Sequence, residues 1–491
     1  MVSMLAVLFW PVVVFWLFAT RKPAQALAAS ILGGYLFLPE NYAIDLPAVP
    51  SLDKNSIAGL AAVLASAIFL KGPAIRDLPE GMVMPGIVPG SRAVRILLAV
   101  LLIGMAGTVV SNGDPVSYGP RWLPGLRFYD MLSFMGNMLF SLIPFLLARK
   151  YLAHPQAHIA LLVSLAVFGL IYTLPALYEI RMSPQLSRMI YGYFPHAWLQ
   201  HIRAGGYRPV VFLNHGLWLA IFLSVSFLAA LTLWRLSSGP LRMRWLLASL
   251  WLLMTLILAK GMGALGIGIL LGATILLMPV RLHILMAASI SVIVQVYPIL
   301  RGAGWIPVDT VVSTARDLDP ARAASLSFRL ENEDILLAKA NERPLFGWGG
   351  WGRNRVYNDN GVDISVTDGY WVQAMGVRGW TGYLAEMGLL AIPLVLLALR
   401  WRGLALTSAT AGLALVLTAA VLPAVLPGMA LPPPGLGALA RAVLTETVNG
   451  LAIGLWLRLF IHALQTAGSI AAQSTSLAQL LGNSAADPMP A

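Results

Sequence analysis

The feature that most constrains this chain is a series of long apolar stretches spread over nearly all of its 491 residues. An α-helix needs about 20 mainly apolar residues to cross the hydrocarbon core of a bilayer, which is roughly 30 Å thick. Thirteen stretches come near that length, and they lie at 2–19, 25–39, 56–70, 94–111, 130–148, 158–178, 209–234, 245–260, 262–280, 283–299, 379–399, 404–426 and 441–463. The sequence therefore predicts an all-α polytopic membrane protein with about thirteen transmembrane helices, in a range of about 12 to 14.

The composition excludes a water-soluble protein. Hydrophobic residues make up 58% of the chain and charged residues 11%, whereas an ordinary globular chain has about 45–50% and about 25%. There is no cysteine, so disulfides, thiolate catalysis and cysteine-ligated metals are excluded. No positive residue precedes the first apolar stretch, and Arg21 and Lys22 follow it. We therefore expect a retained span and not a signal peptide.

The positions of lysine and arginine predict the orientation, because cytoplasmic loops are enriched in both residues. Fifteen of the 33 positive residues lie in connections on alternate sides of the predicted spans, at 21–22, 71–95, 149–150, 235–244, 281, 400–402 and 458. Placing that side in the cytoplasm puts the N-terminus in the periplasm and the C-terminus in the cytoplasm. We expect the chain to lie in the inner membrane of a bacterium.

This topology divides the chain into four parts. Residues 1–299 hold the first ten spans with short loops, including an arginine-rich periplasmic loop at 179–208. Residues 300–378 form a long periplasmic loop, and residues 379–463 hold the last three spans. Residues 464–491 form a cytoplasmic tail that we expect to be partly disordered.

The arginine-rich loop 179–208 gives the first functional indication. It carries four arginines against the single acid Glu179, and the four are Arg181, Arg188, Arg203 and Arg208. Positive charge in a short external loop opposes the positive-inside rule and needs another cause. Guanidinium groups match the geometry of phosphate, so an anionic substrate at the outer face is the preferred interpretation. Alternatively, these arginines neutralise lipid headgroups or pair with acids of the loop 300–378.

The long loop 300–378 is predicted to contain one amphipathic helix. Its nine basic and ten acidic residues nearly balance, which argues against a disordered tail. Asp319 and Pro320 form a helix-start signal, and Leu326, Leu330 and Leu337 recur at helical spacing. The helix is expected over about 320–341 and ends before Pro344.

A run rich in glycine and tryptophan follows at residues 344–354, where Trp348 and Trp351 lie. No strand precedes this run and no Gly-Lys-Ser/Thr follows it, so it is not a nucleotide-binding loop. The tryptophans either lie at the lipid interface or stack on sugar rings. Asp368 then precedes the eleventh span and is a candidate general base, a helix N-cap or the salt-bridge partner of an arginine.

Several of these stretches resemble the O-antigen ligase and O-antigen polymerase-like proteins of bacterial envelopes. The resemblance covers roughly residues 180–400 and is carried by Gly206-Tyr207-Arg208-Pro209, Asn214-His215-Gly216, Lys260-Gly261-Met262-Gly263-Ala264-Leu265-Gly266, Arg329, Glu342-Arg343-Pro344-Leu345-Phe346-Gly347-Trp348-Gly349, and Asp368-Gly369-Tyr370-Trp371 with Gly376, Gly379 and Gly382. Many relatives have a histidine at the last motif, whereas this chain has Thr367 and Asp368.

The resemblance implies a glycosyltransferase that uses a glycan on undecaprenyl diphosphate as donor. Cations would stabilise the departing diphosphate, and the candidates are Arg208, Arg181, Arg203, Lys260 and Arg329. Asp368 is the first candidate for the general base and His215 the second. Aromatic walls for the sugars are expected at Trp348, Trp351, Tyr370 and Trp371.

The acceptor separates two versions of this hypothesis. A polysaccharide polymerase would extend a glycan chain for an exopolysaccharide or O-antigen, and a ligase would transfer it to lipid A-core. No metal and no cofactor are expected, because no histidine or acid cluster has metal-ligand spacing. The expected partners are the lipid-linked donor, the glycan acceptor, the bilayer and other polysaccharide assembly and export proteins, and nucleic acid is not expected.

A transporter or flippase is the rival from another class. Transporters commonly have internal repeats and acids deep in the membrane. The sequence has no convincing repeat, and its clearest intramembrane acids, Glu386 and Glu446, lie near the predicted outer ends of their spans. These features favour the enzyme over the carrier.

Overall fold

The fold is described from a computed structural model. The structure describes residues 1–45, 50–70, 82–195, 198–203, 205–318, 320–367, 369–401 and 408–425. All of these belong to one compact unit, Met1–Val448. A second unit, Asn449–Ala491, lies outside the described residues.

The described part of the chain is mainly helical, and eight of its helices are long and apolar enough to cross a membrane. They are α1 (Val2–Thr20), α4 (Arg92–Val110), α5 (Phe128–Leu152), α6 (Pro155–Met182), α8 (Gly216–Leu236), α9 (Gly239–Leu258), α11 (Val280–Gly302) and α14 (Tyr370–Leu399). Each of the eight coincides with a predicted span, so the expectation of an all-α polytopic membrane protein is confirmed.

Four shorter helices also coincide with predicted spans. They are α2 (Pro23–Phe37), α3 (Lys54–Phe69), α10 (Met262–Leu277) and α15 (Ser408–Val421). Local sequence fixes where some of them begin: Pro23 opens α2, and Asp53 caps α3 by accepting hydrogen bonds from the N–H groups of Asn55 and Ser56. The thirteenth predicted span, with Glu446, lies outside the described residues, so the full set of thirteen stays a prediction.

The connections contain short elements of their own. Among the described residues there are two antiparallel hairpins, β1 (Val116–Tyr118) with β2 (Arg121–Leu123) and β3 (Ile202–Arg203) with β4 (Gly206–Tyr207). The other elements are the helix α7 (Leu186–Tyr191), a 3₁₀ turn (Trp198–His201), α12 (Val308–Leu318), α13 (Pro320–Asn341) and a second 3₁₀ turn (Leu422–Val425). The amphipathic helix predicted over 320–341 is confirmed as α13, whereas α12 was not predicted.

Two helices form the centre of the bundle. α8 packs against α6, α9, α10 and α15, and nearly all of its residues are buried. α14 packs against α4, α11 and α13. Such a helix with apolar residues on every side is typical of the core of a membrane bundle, where the neighbouring helices take the place of lipid.

α14 is broken near its first third, which the sequence did not predict. Gly379 has φ 62° and ψ −166°, a conformation that only glycine adopts readily. Around this break the glycine-rich loop supplies the missing backbone partners: Trp348 N–H donates to Gly376 O at 2.8 Å, and Trp380 N–H donates to Pro344 O at 2.7 Å. The loop and the helix are therefore one folded unit.

Contacts between connections join members of the same predicted side. On the predicted outer side, Ser3 Oγ donates to Tyr191 O, and Arg343 pairs with Asp114. On the predicted inner side, Met84 N–H donates to Lys150 O, and the Arg281 guanidinium lies over the Trp401 ring. In each case the two partners belong to the same predicted side.

Candidate functional site

Four basic residues approach one another around the β3–β4 hairpin. We call His201, Arg208, His215 and Lys260 the Arg208 cluster. Arg208 N–H donates to His201 O at 2.8 Å, and Arg208 Nη2 donates to Lys260 O at 3.1 Å. The His201 and His215 rings lie 5.3 Å apart between centroids. Three elements distant in sequence, the hairpin, the start of α8 and the end of α9, therefore meet here.

Two glycines make room for the cations of the Arg208 cluster. A Cβ atom at Gly216 would lie 2.5 Å from Arg208 Cδ, and a Cβ atom at Gly206 would lie 2.4 Å from Lys260 Nζ. Either contact is too short for two heavy atoms that are not bonded. Because neither position has a side chain, the aliphatic part of Arg208 can pack against Gly216 and the ammonium of Lys260 can lie beside Gly206.

Glu179 holds the loop that carries Arg208. Its carboxylate is fully buried and accepts four backbone N–H groups, which belong to Gln185, Leu186, Val210 and Val211 at 2.7–3.0 Å. Val211 has φ 57°, and this region is costly for a β-branched residue. Buried hydrogen bonds to a carboxylate are strong enough to hold such a strained residue in place.

Further buried polar contacts hold the same loop at Phe212. Its N–H donates to Tyr172 Oη at 3.2 Å, and its carbonyl accepts from Lys54 Nζ at 3.3 Å. Lys54 also pairs with Glu40 at 2.7 Å. The loop 208–213 is thus fixed from α6 and from α3, so that Arg208 is presented on a rigid segment.

Basic residues predominate in the stretch of sequence that carries the Arg208 cluster. No acidic residue occurs between Glu179 and Asp309, whereas ten lysines and arginines lie in that interval. Glu179 itself is committed to backbone N–H groups, and Glu40 is committed to Lys54. Any carboxylate that neutralises the cluster therefore comes from outside the interval 180–308.

His215 has a local structural role. It is the N-cap residue of α8, and its Nδ1 accepts the N–H of Leu217 at 3.0 Å. Because Nδ1 is an acceptor, a neutral ring carries its proton on Nε2. This is the hydrogen-bonded helix-end role that a histidine there commonly has.

The remaining predicted cations and the first candidate base are less informative. Arg181 is exposed at the end of α6, and Arg329 is half-buried on α13. Arg203 lies in β3, but its side chain is outside the described part of the structure. Asp368 is also outside the described residues, so its role as a base stays untested.

Three of the four predicted sugar-binding aromatics are engaged in packing. Trp348 is buried, with Lys339 Nζ 3.7 Å and Arg343 Cζ 4.3 Å from its ring centroid. Trp371 is fully buried against Tyr297, and the Tyr370 hydroxyl donates to Glu386. Trp351 alone among the four is exposed, at 66%. Tertiary packing thus covers Trp348 and Trp371, and the sugar-binding role of the four aromatics stays an untested prediction.

The structure also shows polar residues that sequence reasoning missed. Arg378 donates to Glu386 and, at 3.0 Å, to the Tyr370 hydroxyl, so this group joins the two halves of the broken α14. His201 was not singled out, although it ends the 3₁₀ turn that begins at Trp198 and is fully buried. Among these buried polar residues, Glu179 is the one whose structural role has a signal in the sequence, because it is the single acid of an arginine-rich loop.

Comparison with known proteins gives one family match. Residues 395–490 match the model of "Bacterial export proteins, family 1". The matched segment is about a fifth of the chain and includes the end of α14, the whole of α15 and residues outside the described part. No curated protein matches the chain.

This match corrects the assignment drawn from the short motifs. The chain is not assigned to the O-antigen ligase or polymerase-like proteins, and a glycosyltransferase, whether polymerase or ligase, is not supported. The expected metal-independent enzyme and its partners, an undecaprenyl-linked donor and a glycan acceptor, are withdrawn with it. An integral protein of the inner membrane remains the coarse description of its localisation.

Proposed function

We propose that this protein is a multi-pass membrane component of an export apparatus. The observation that carries the proposal is the match of residues 395–490 to a family of bacterial export proteins. The partners would then be other membrane components of that apparatus and the exported proteins. The finer topology belongs to the same proposal: thirteen spans, a periplasmic N-terminus, a cytoplasmic C-terminus and periplasmic loops at 179–208 and 300–378.

The packing of α15 supports a role for the matched segment within the bundle. Residues 409–421 are all buried, and α15 packs against α8, α10 and α11. Thr410 Oγ1 lies 3.0 Å from His158 Nδ1. A Cβ atom at Gly412 would lie 2.2 Å from Thr232 Cγ2, so α15 approaches α8 through a glycine. Because α15 belongs to the matched segment and is packed within the helix bundle, we take the family match to bear on the function of the whole protein.

Deletion and complementation test this proposal. A strain that lacks the protein should export fewer proteins into the periplasm or medium, and the full-length chain should restore them, as measured by quantitative proteomics of those fractions. Gly412→Val should fail to restore export, because its side chain would push α15 from α8. Gly266→Val is the matched control, since nothing lies within 4 Å of a Cβ there. An unchanged set of exported proteins in the deletion strain would reject the proposal.

We further propose that the Arg208 cluster binds an anionic group of a ligand at the outer face. The convergence of Arg208 and Lys260 beside two histidines supports this second proposal. Arginine offers paired donors to phosphate or carboxylate oxygens, whereas lysine adds a point charge. A site held by buried contacts of Glu179 would bind with little reorganisation.

Binding of inorganic pyrophosphate to the purified full-length protein tests this site. We expect Arg208→Gln and Lys260→Gln each to weaken binding about ten-fold, the equivalent of about 1.4 kcal/mol, in isothermal titration. Arg355→Gln is the control, because Arg355 pairs with Asp363 elsewhere on the protein. The absence of binding to the unaltered protein, or equal loss in the control, would reject the site.

A further inference from the structure

The short helix α7 lies at the level where membrane helices begin and end. Ser3 Oγ, in the first turn of α1, donates to Tyr191 O at 3.3 Å. The Tyr191 hydroxyl donates to the carbonyl of Phe37, the last residue of α2. α1 is an apolar candidate span, so its first turn marks the membrane boundary. These two contacts place α7 at that boundary.

α7 has an inner and an outer face. On the inner face Ser187 is buried, and the Tyr191 ring packs 5.3 Å from the Phe212 ring. On the outer face Arg188, Met189 and Ile190 are exposed, with Met189 at 64%. The inner face is therefore occupied by the protein, and the outer face has apolar side chains beside a cation.

Neighbouring residues extend this outer face. Arg181 and Met182 are exposed at the end of α6, and Leu199 of the 3₁₀ turn is 75% exposed. Among the described residues no carboxylate pairs with Arg181 or Arg188, and the sequence from 180 to 308 contains none. We call Arg181, Met182, Arg188, Met189, Ile190 and Leu199 the α7 surface.

We infer that the α7 surface binds anionic phospholipids of the outer leaflet. Arg181 and Arg188 would pair with headgroup phosphates, and Met182, Met189, Ile190 and Leu199 would enter the acyl boundary. Amphipathic segments with basic and apolar residues lie in the interface in this way, and guanidinium binds phosphate through paired donors. Because α7 contacts the start of α1 and the end of α2, it lies at the bilayer interface. This position argues that lipid is what binds the α7 surface. The assignment to the outer leaflet rests on the proposed topology and not on an export function.

The lack of cysteine in the chain allows a direct test. Met189→Cys in the full-length protein is labelled with an environment-sensitive fluorophore and placed in nanodiscs that contain nitroxide-labelled phosphatidylglycerol or phosphatidylcholine. Quenching by each lipid gives a relative binding constant at this position. We expect phosphatidylglycerol to be preferred by about five-fold for each arginine, from about 1 kcal/mol per cation near an anionic surface. Rising ionic strength should reduce this preference.

Arg181→Gln and Arg188→Gln should each lower the preference about five-fold. Arg355→Gln should not, because Arg355 already pairs with Asp363. Equal quenching by the two lipids, or a preference that survives both substitutions or high salt, would overturn the inference. A label at Asn360→Cys is the reference for full exposure to water, because Asn360 is exposed in the turn between the bridged residues Tyr357 and Asp363. Iodide quenching of the Met189→Cys label as strong as at that reference position would overturn the inference as well.

Discussion

At the scale of single residues, one buried acid organises the surroundings of the Arg208 cluster. Glu179 accepts four backbone N–H groups from the segments on both sides of the β3–β4 hairpin. A carboxylate is suited to this role because it offers acceptors only. The geometry of Arg208 is thus set by a residue that need not touch any ligand.

Glu179→Gln should destabilise the protein by about 3 kcal/mol, because the amide NH₂ would face N–H donors of Val210 and Val211 and leave them unsatisfied in a buried place. The free energy of unfolding in detergent, from denaturant titration, measures this loss. Glu331→Gln, the same change at an exposed site of α13, should alter it by less than about 0.5 kcal/mol. Equal effects of the two substitutions would refute the role of Glu179.

Asp114 predicts a dependence of stability on pH. The hydrogen bond from Arg343 lowers the pKa of the Asp114 carboxyl. A group with a lowered folded-state pKa contributes stability above its unfolded value of about 3.9, and this contribution is lost as the pH falls through the folded value. The contribution is at most about 1 kcal/mol, because Asp114 is half exposed to screening water.

Unfolding of the unaltered protein and of Asp114→Asn, followed from pH 7 to pH 3, checks this dependence. The difference in stability should be constant near neutral pH and should disappear on acidification below about pH 4, where the carboxyl becomes protonated. A difference that grows as the pH falls would contradict the assignment.

At the scale of elements, the broken helix α14 is the least regular part of the bundle. Its break at Gly379 is matched by the loop residue Gly347, and the two backbones approach so closely that a Cβ on either would lie 2.6 Å from the other chain segment. Non-helical backbone inside a membrane protein needs partners within the protein, because lipid supplies none. The loop 344–349 supplies them.

Gly379→Ala should therefore destabilise α14 and its loop by at least about 2 kcal/mol, from backbone strain at a positive φ with a steric clash in addition. Thermal unfolding in detergent and proteolytic cleavage near residue 350 measure the effect. Gly266→Ala in α10 is the control, and there a helical position with open space should be neutral or slightly stabilised. Unaltered cleavage and melting of Gly379→Ala would show that the break is not required.

At the scale of the whole molecule, the connections form two groups. The contacts that we describe join connections of the same group. The contacts of Ser3 with Tyr191 and of Arg343 with Asp114 belong to one group, and the contacts of Met84 with Lys150 and of Arg281 with Trp401 belong to the other. The positive-inside rule assigns the second group to the cytoplasm.

Single cysteines in this cysteine-free chain test that orientation. Asn360→Cys, in the first group, should react with a membrane-impermeant maleimide in spheroplasts. Ser238→Cys, before α9 in the second group, should react only after the membrane is permeabilised. Both positions are exposed in the structure, so burial does not account for a difference. The reverse labelling pattern would invert the topology.

The family assignment shows where short motifs mislead. In the sequence, the glycine and tryptophan run at 344–349 resembles a family motif, and the resemblance implies that its tryptophan binds sugar. In the structure Gly347 permits a close backbone approach to Gly379, and Trp348 lies between Lys339 and Arg343. Packing alone accounts for these residue types, so their presence does not indicate a glycan ligand.

The sequence by itself determined the membrane class, the places of the apolar helices among the described residues and the amphipathic helix α13. These features depend on the length and period of apolar residues, which are local properties of a chain. Tertiary structure alone decided that Arg208 meets Lys260, that Glu179 holds the Arg208 loop, that Trp371 is covered and that α14 breaks at Gly379. Each of these joins residues far apart in sequence, and their energies come from contacts that no local pattern encodes.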